Sequence, residues 1–180
     1  MPVAKGKKRK AFKAFLVGNR IFSDAKEAKE VYNKSYFGER IGDKIYYSLV
    51  EALYLLENKK VEIYDGKKKV NYNSFVRKAE KLEPNFWARY CVFRNMRARG
   101  YIVKTALKFG ADFRVYERGV KPGEEHAKWI LYPVYETSSL TWYEFAAKNR
   151  VAHSTRKKLL IGIVDEEGEV TYYEVSWTRP

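Results

Sequence analysis

Short apolar runs separated by glycine-containing turns recur along most of the chain. In residues 101–119, YIVKTALKFGADFRVYERG, two such runs flank a Lys-Phe-Gly-Ala turn, which is the pattern of a β-hairpin. Between the runs lie segments in which leucine or aromatic residues recur every three or four positions, as on one face of a helix. Strands and helices interspersed in this way predict an α+β fold.

Residues 11–82 are predicted to form a small amino-terminal α+β domain. Gly18-Asn19 and Asp65-Gly66 each suit the turn of a hairpin. A helix is also expected from about residue 74 to residue 81. Two earlier helices are expected to begin at capping boxes, in which a short polar side chain precedes a glutamate by three residues. These pairs are Asp24 with Glu27 and Ser48 with Glu51.

Residues 83–100 are predicted as a connecting helix and residues 101–180 as a carboxy-terminal domain with a mixed sheet. Phe86, Tyr90 and Phe93 recur at helical spacing and are interpreted as core residues of that helix. Three further elements are expected after the quoted hairpin. They are an apolar strand in AKWILYPVYE, a helix from Ser138 or Ser139 to Lys148, and a strand pair around a Glu-Glu-Gly turn.

The chain carries 36 lysine and arginine residues against 22 aspartate and glutamate residues, a formal net charge of +14. Such an excess favours a polyanionic partner, with nucleic acid first and an anionic membrane surface second. Residues 1–10, MPVAKGKKRK, combine five cations with little to bury and are expected to form a flexible basic arm. No apolar run approaches the roughly 20 residues of a spanning helix, and no signal-peptide pattern opens the chain, so a cytoplasmic protein is expected.

Several common chemistries lack their sequence motifs here. The chain has no glycine-rich phosphate loop, no histidines paired at ligand spacing and no serine in a nucleophile elbow. Its single cysteine, Cys91, permits neither an internal disulfide nor a structural zinc site and is interpreted as a buried apolar residue. We therefore expect no cofactor and no metal ion.

The remaining chemically capable side chains gather near strand ends and loops of the second domain: Tyr116, His126, His153, Lys157 and Lys158. RNA cleavage without metal needs a base for the 2′-hydroxyl proton, an acid for the leaving 5′-oxygen and a cation for the pentavalent phosphate. Histidine suits the acid, and tyrosine can act as the base only where nearby cations lower its pKa. From spacing alone, simpler interpretations stand beside this one: a packed tyrosine, a solvated histidine and an exposed lysine pair.

Three separated blocks, RGYIVKTALKFGADFRVYERG, EEHA and RVAHSTRKKLLIGIVD, resemble the archaeal tRNA-splicing endonuclease family, and SLVEALYLLE resembles its amino-terminal domain. The resemblance covers roughly residues 12–180 and implies a mixed-sheet nuclease domain of the restriction-endonuclease-like type after the small α+β domain. It also implies a catalytic subunit that cuts precursor tRNA at both exon–intron junctions of a bulge-helix-bulge element. Cleavage in this family needs no metal and leaves 2′,3′-cyclic phosphate and 5′-hydroxyl ends.

The resemblance also implies roles for individual residues of the matching motifs. Tyr116 of RVYERG corresponds to the general base, His126 of EEHA to the general acid, and Lys157 of HSTRKK to the cation that stabilises the phosphate. Arg150 and, in WTRP, Arg179 would grip a bulge base between two guanidinium groups. His153 matches no catalytic position and is interpreted as structural.

The acidic turn DEEGE is implied as a subunit contact, because in the family this loop inserts into a basic cleft of a partner. Its charged residues are Asp165, Glu166, Glu167 and Glu169. The chain is therefore expected to act on precursor tRNA as a dimer or tetramer of itself, or together with a paralogous structural subunit. The two bulges of the substrate must each face an active site, and a monomer supplies only one active site.

Two other functions remain open from the sequence. A metal-dependent nuclease would use Asp112 and Glu117, which flank one strand of the hairpin, to hold magnesium. A non-catalytic RNA-binding or assembly subunit would need only the basic charge of the chain.

Overall fold

The structure is a computed structural model that describes residues 11–106 and 110–178. The predicted basic arm, the centre of the turn in residues 101–119, and Arg179 lie outside these residues. Contacts within the chain divide it after Leu82 into two compact units. Among the described residues, no helix is both long enough and apolar enough to cross a membrane.

The strands of the amino-terminal unit are β1 (Phe12–Val17), β2 (Arg20–Ser23), β3 (Glu39–Ile41), β4 (Lys44–Tyr47), β5 (Val61–Asp65) and β6 (Lys68–Val70). Within the described residues they form one sheet ordered β3-β4-β2-β1-β5-β6. Strands β1 and β5 are parallel, and the other neighbours are antiparallel. Burial alternates along β1: Phe12, Ala14 and Leu16 are buried, whereas Lys13 and Phe15 are exposed, so one face carries the core and the other faces solvent.

Helices α1 (Lys26–Ser35), α2 (Leu49–Glu57) and α3 (Tyr72–Leu82) complete this unit. Helix α2 begins at the predicted capping box, which the structure confirms. The Ser48 hydroxyl accepts from the Glu51 N–H, and the Glu51 carboxylate accepts from the Ser48 N–H at 3.0 Å. The same buried carboxylate accepts from the Gly38 N–H at 2.8 Å, so its second oxygen is also satisfied.

The capping box predicted for α1 is wrong. The N-cap is Ala25, which has no side-chain cap, and the helix starts at Lys26. Buried Ser23 shapes this start instead: its hydroxyl donates to the Lys13 carbonyl at 2.5 Å and accepts from the Ala25 N–H at 3.3 Å. Because the strand end holds the backbone here, the helix begins too late for Asp24 to serve as its cap.

The strands of the second unit are β7 (Ile102–Thr105), β8 (Phe113–Tyr116), β9 (Trp129–Tyr135), β10 (Lys158–Val164) and β11 (Val170–Val175). In the part of the chain that is described, they form a sheet ordered β11-β10-β9-β8-β7. Strands β9 and β10 are parallel and the other neighbours are antiparallel. This mixed sheet, together with the first unit, confirms the predicted α+β class.

Helices α4 (Phe86–Ala98) and α5 (Trp142–Ser154) lie on opposite faces of this sheet. On the α4 face, Phe93 contacts Phe113 with ring centroids 6.0 Å apart. Phe86, Tyr90 and Phe93 are all buried, as their helical spacing predicts. On the α5 face, Ala152 packs with the core residues Ile130, Tyr132 and Leu159.

Helix α5 starts and ends later than the predicted helix from Ser138 or Ser139 to Lys148. It begins after a capping box in which the Thr141 hydroxyl accepts from the Glu144 N–H at 3.2 Å and the Glu144 carboxylate accepts from the Thr141 N–H at 2.8 Å. It continues past Lys148 because Ala152, in its last turn, is buried against the sheet. Arg150 and His153 are therefore helical residues.

Candidate active site

Three strands of the second sheet bring the predicted catalytic motifs to one edge. Strand β8 ends at Tyr116, while β9 begins at Trp129 and β10 at Lys158. Because β8 is antiparallel to β9, and β9 is parallel to β10, the end of β8 and the starts of β9 and β10 lie together. Backbone hydrogen bonds join them: the Lys128 N–H donates to the Val115 carbonyl, and the Lys158 N–H to the Lys128 carbonyl, both at 2.9 Å. We call this end of the sheet the β8–β10 edge.

Tyr116 is the last residue of β8, and only 5% of it is exposed. Its backbone is held by pairing with Ile102 of β7. Strand β9 lies between Tyr116 and Lys157, so two strand spacings of about 4.8 Å separate them. Their Cα atoms are therefore about 10 Å apart. The register also places both residues on the sheet face that α5 covers, because side chains alternate along each strand.

Lys157 is positioned by the way α5 ends. Arg156 adopts a left-handed conformation with φ of 55°, its N–H donates to the His153 carbonyl, and the Lys157 N–H donates to the Ala152 carbonyl at 2.8 Å. These two bonds form a Schellman motif, which fixes the direction in which the chain leaves a helix. The motif delivers Lys157 to the start of β10, where its ammonium donates to the Thr155 carbonyl at 2.8 Å.

The pKa of Lys157 is lowered below its usual value, first by partial burial and then by the positive charge of Arg114. Both effects disfavour the protonated form. Arg114 lies on β8, two residues before Tyr116 and on the same face. The β8–β10 edge therefore places two cations on the sheet face that also carries Tyr116, which suits a site that binds a phosphate group.

The geometry adds one candidate site residue that the sequence did not predict, Arg114, whose charge acts on Lys157. It is half-buried, and its Nε is buried without a hydrogen bond to any part of the chain that the structure describes. A buried guanidinium nitrogen is costly to leave unsatisfied, which makes Arg114 a candidate residue of the site. The sequence feature that could have indicated it is its position two residues before Tyr116 on a predicted strand, which puts both side chains on one face of the sheet.

His126 lies in the loop of residues 117–128 that joins β8 to β9, and it is exposed. Two successive turns shape the loop: the Val120 N–H donates to the Glu117 carbonyl and the Glu124 N–H to the Lys121 carbonyl, both at 3.1 Å. Ala127, the next residue, is buried. Since Lys128 is paired in the sheet two residues later, the Cα of His126 lies within about 7 Å of the Lys128 Cα at the β8–β10 edge.

Arg150 lines a groove between α5 and the segment that follows β11. The groove has a volume of about 880 Å³, and Phe145, His153 and Trp177 also line it. The rings of His153 and Trp177 lie 4.7 Å apart between centroids. A smaller adjoining groove is lined by His153, Trp177 and Lys157, so His153 and Trp177 connect the groove of Arg150 to the groove of Lys157. Arg179, its predicted partner, lies outside the described residues.

The acidic turn lies at the opposite end of the second sheet. Strand β10 runs from the β8–β10 edge to Asp165, about 25 Å away at the rise of a strand. The Asp165 carboxylate accepts from the Glu169 N–H at 2.8 Å and so shapes the turn. Glu166, Glu167 and Glu169 are exposed, so three of the four acidic side chains predicted at an interface face solvent.

Asp112 and Glu117 occupy opposite ends of β8 and do not converge on one ion. Asp112 precedes the strand and forms an ion pair with buried Arg89 at 2.9 Å, whereas Glu117 follows the strand and pairs with Lys128 at 2.6 Å. Burial raises the pKa of Asp112. Across the described residues, no three histidine, cysteine, aspartate or glutamate side chains form a group that could hold a metal ion.

Comparisons with known proteins cover both units. A family model described as the tRNA intron endonuclease catalytic C-terminal domain matches residues 86–172, and the model of the N-terminal domain of the same enzymes matches residues 12–76. The chain is 43% identical over 166 residues to the tRNA-splicing endonuclease of Thermococcus kodakarensis, covering 92% of this chain and 97% of that protein. It is 42% identical over 172 residues to the tRNA-splicing endonuclease of Nanoarchaeum equitans, with 92% and 98% coverage. The similarity thus extends over nearly the whole length of both relatives.

Proposed function

This chain belongs to the tRNA intron endonuclease family, and we propose that it cuts precursor tRNA without metal at the exon–intron junctions of a bulge-helix-bulge element. The family makes it an endoribonuclease, a tRNA-intron lyase. The observation that supports the finer proposal is the strand register that brings Tyr116, the His126 loop and Lys157 to the β8–β10 edge.

Each of the three side chains takes one part of the proposed reaction. Tyr116 accepts the proton of the 2′-hydroxyl on its phenolic oxygen, and the 2′-oxygen then attacks the adjacent phosphorus. Lys157 stabilises the additional negative charge of the pentavalent phosphate. The bond from phosphorus to the 5′-oxygen breaks, and His126 gives that oxygen its proton. The products are a 2′,3′-cyclic phosphate and a 5′-hydroxyl.

Cleavage is expected to proceed at an unchanged rate in excess EDTA, because no step of this reaction uses a metal ion. The assay is single-turnover cleavage of a bulge-helix-bulge RNA, with and without added magnesium. The downstream product should accept phosphate from polynucleotide kinase without prior dephosphorylation, since it carries a 5′-hydroxyl. Loss of cutting in EDTA, or upstream products that end in a 3′-hydroxyl, would favour the magnesium nuclease instead.

For assembly, we propose that the acidic turn holds copies of this chain, or this chain and a paralogous structural subunit, together. The exposed carboxylates of Glu166, Glu167 and Glu169 lie at an outer end of the second sheet. A basic chain offers many complementary cations, and opposite charges across an interface favour association. The neighbouring strand β11 is the edge strand of its sheet, and its Tyr173 is 57% exposed.

Changing Glu166, Glu167 and Glu169 together to glutamine is expected to lower the mass measured by light scattering to that of a smaller oligomer. Asp165 is kept, because its carboxylate shapes the turn. The matched control changes three exposed glutamates of the first unit, Glu27, Glu30 and Glu80, and should leave the mass unchanged. An unchanged mass in the turn variant as well would contradict the assigned contact.

A further inference from the structure

Four aromatic side chains form a continuous row across the amino-terminal sheet. They lie at one level on the adjacent strands β4, β2, β1 and β5, and the strand register pairs Tyr46 with Phe22, Phe22 with Phe15, and Phe15 with Tyr64. Their ring centroids are separated by 5.7, 6.2 and 6.5 Å in that order. We call these four residues the aromatic row.

The aromatic row lies on the face opposite the core. The residues that alternate with it along the strands, such as Leu16 and Ile63, are buried. Phe15 is 39% exposed, and the other three rings are half-buried. Three strand spacings give the row a length of about 14 Å, which is comparable to the sheet platforms on which RNA-recognition domains stack two or three bases.

Lysine side chains flank the row. The Lys13 ammonium lies 5.6 Å from the centroid of the Tyr64 ring, and the Lys44 ammonium lies 4.6 Å from that of Phe22. Lys69 is opposite Tyr64 in the register and pairs with Glu62 at 2.6 Å. A protein interface core is depleted of lysine, whereas cations beside aromatic rings suit a strand of bases and phosphates.

We propose that the aromatic row binds unpaired nucleotides of RNA by stacking their bases, with the flanking lysines contacting the phosphates. The choice of RNA as the polyanion rests on the proposed function. Every base has a π face, so binding is expected to tolerate different sequences, with purines preferred because they stack more strongly. The first unit then holds single-stranded parts of the substrate, independently of the residues at the β8–β10 edge.

The test is binding of a fluorescent, single-stranded 2′-O-methyl oligoadenylate to the full chain, measured by anisotropy at fixed salt. This probe lacks the attacking hydroxyl and is not cut. Changing Phe15 and Phe22 together to isoleucine keeps apolar, strand-compatible side chains but removes two rings, and it is expected to weaken binding by about tenfold or more. The matched control, Val17→Thr, removes exposed apolar surface from the same face without removing a ring and should leave binding unchanged.

Photocrosslinking of the wild-type chain gives a second readout that does not depend on the variant folding. An azidoadenosine-labelled probe should crosslink to peptides that contain the aromatic row. Crosslinks confined to the second unit, or an unchanged affinity of the folded double variant, would overturn the proposal. If the double variant lowers the mass seen by light scattering but not the affinity, the row is a contact between copies of the chain, and the proposal fails.

Cleavage of precursor tRNA is measured on the same samples to separate this proposal from the function it rests on. Wild-type chain that cuts precursor but shows no binding at the row leaves the endonuclease proposal intact and removes this one. A chain that binds the probe at the row but does not cut precursor supports the aromatic row as a binding site and removes the endonuclease proposal.

Discussion

Changing His126 to alanine is expected to slow single-turnover cleavage of precursor tRNA by about 100- to 10,000-fold, the usual contribution of a positioned general acid. The leaving 5′-oxygen must then depart without a proton. Binding of the precursor should change little, since the lost step is chemical. The variant should fold, because His126 is exposed and the loop is held by buried Ala127 and by the pairing of Lys128 in the sheet.

A substrate with sulfur in place of the leaving 5′-oxygen tests whether His126 is specifically the acid. A thiol has a pKa near 8.5, against about 15.7 for water, so a thiolate leaves without protonation. The defect of His126→Ala should largely disappear on this substrate. His153→Ala is the matched control. His153 lies in the last turn of α5, where its ring contacts that of Trp177, and cleavage should slow far less in this variant than in His126→Ala. A defect that persists on the sulfur substrate would assign His126 to another role.

Local patterns in the sequence predicted the fold where neighbouring residues alone decide the structure. The Ser48 and Glu51 capping box forms as predicted because both partners lie within one turn of the same helix. The similar pair at Asp24 does not form, because Ser23 at the end of β2 bonds to the neighbouring strand β1 and shifts the helix start. The later end of α5 likewise depends on contacts between Ala152 and a distant strand, which periodicity does not report.

The candidate site was predictable only in part, because it too depends on residues that are distant along the chain. Spacing gave no cause to join Tyr116 with Lys157, which are 41 positions apart along the chain; motif resemblance did so. The strand register places both residues at the β8–β10 edge, since β8 is antiparallel to β9 and β9 is parallel to β10. Arg114 was not predicted as a site residue, because a charged residue inside a strand usually faces solvent. Its charge lowers the pKa of Lys157 across the intervening strand β9, which the sequence does not indicate.

Changing Lys157 to alanine is expected to lower kcat for precursor cleavage by about 100- to 1,000-fold, the typical effect of removing one group that stabilises developing charge. The KM should change little, because the charge on the phosphate grows mainly in the transition state. Lys157→Arg is the matched variant, since it keeps a positive charge at the start of β10, and it should retain more activity than alanine. An equal loss in both variants with a raised KM would instead indicate a role in binding alone.

The pH dependence separates a catalytic cation from a structural one. Burial and the charge of Arg114 lower the pKa of Lys157, so its positive charge is lost at a lower pH than that of an ordinary lysine. Arginine stays protonated over the whole accessible range. The rate of Lys157→Arg relative to wild type should therefore rise as the pH increases on the alkaline side. Changing Arg114 to glutamine in a chain that keeps Lys157 removes the repulsion between the two cations, so the pKa of Lys157 should rise. The loss of cleavage rate that follows deprotonation of Lys157 should then occur at a higher pH than in the wild type. A rate ratio that does not vary with pH would show that the charge of Lys157 is not what the reaction uses.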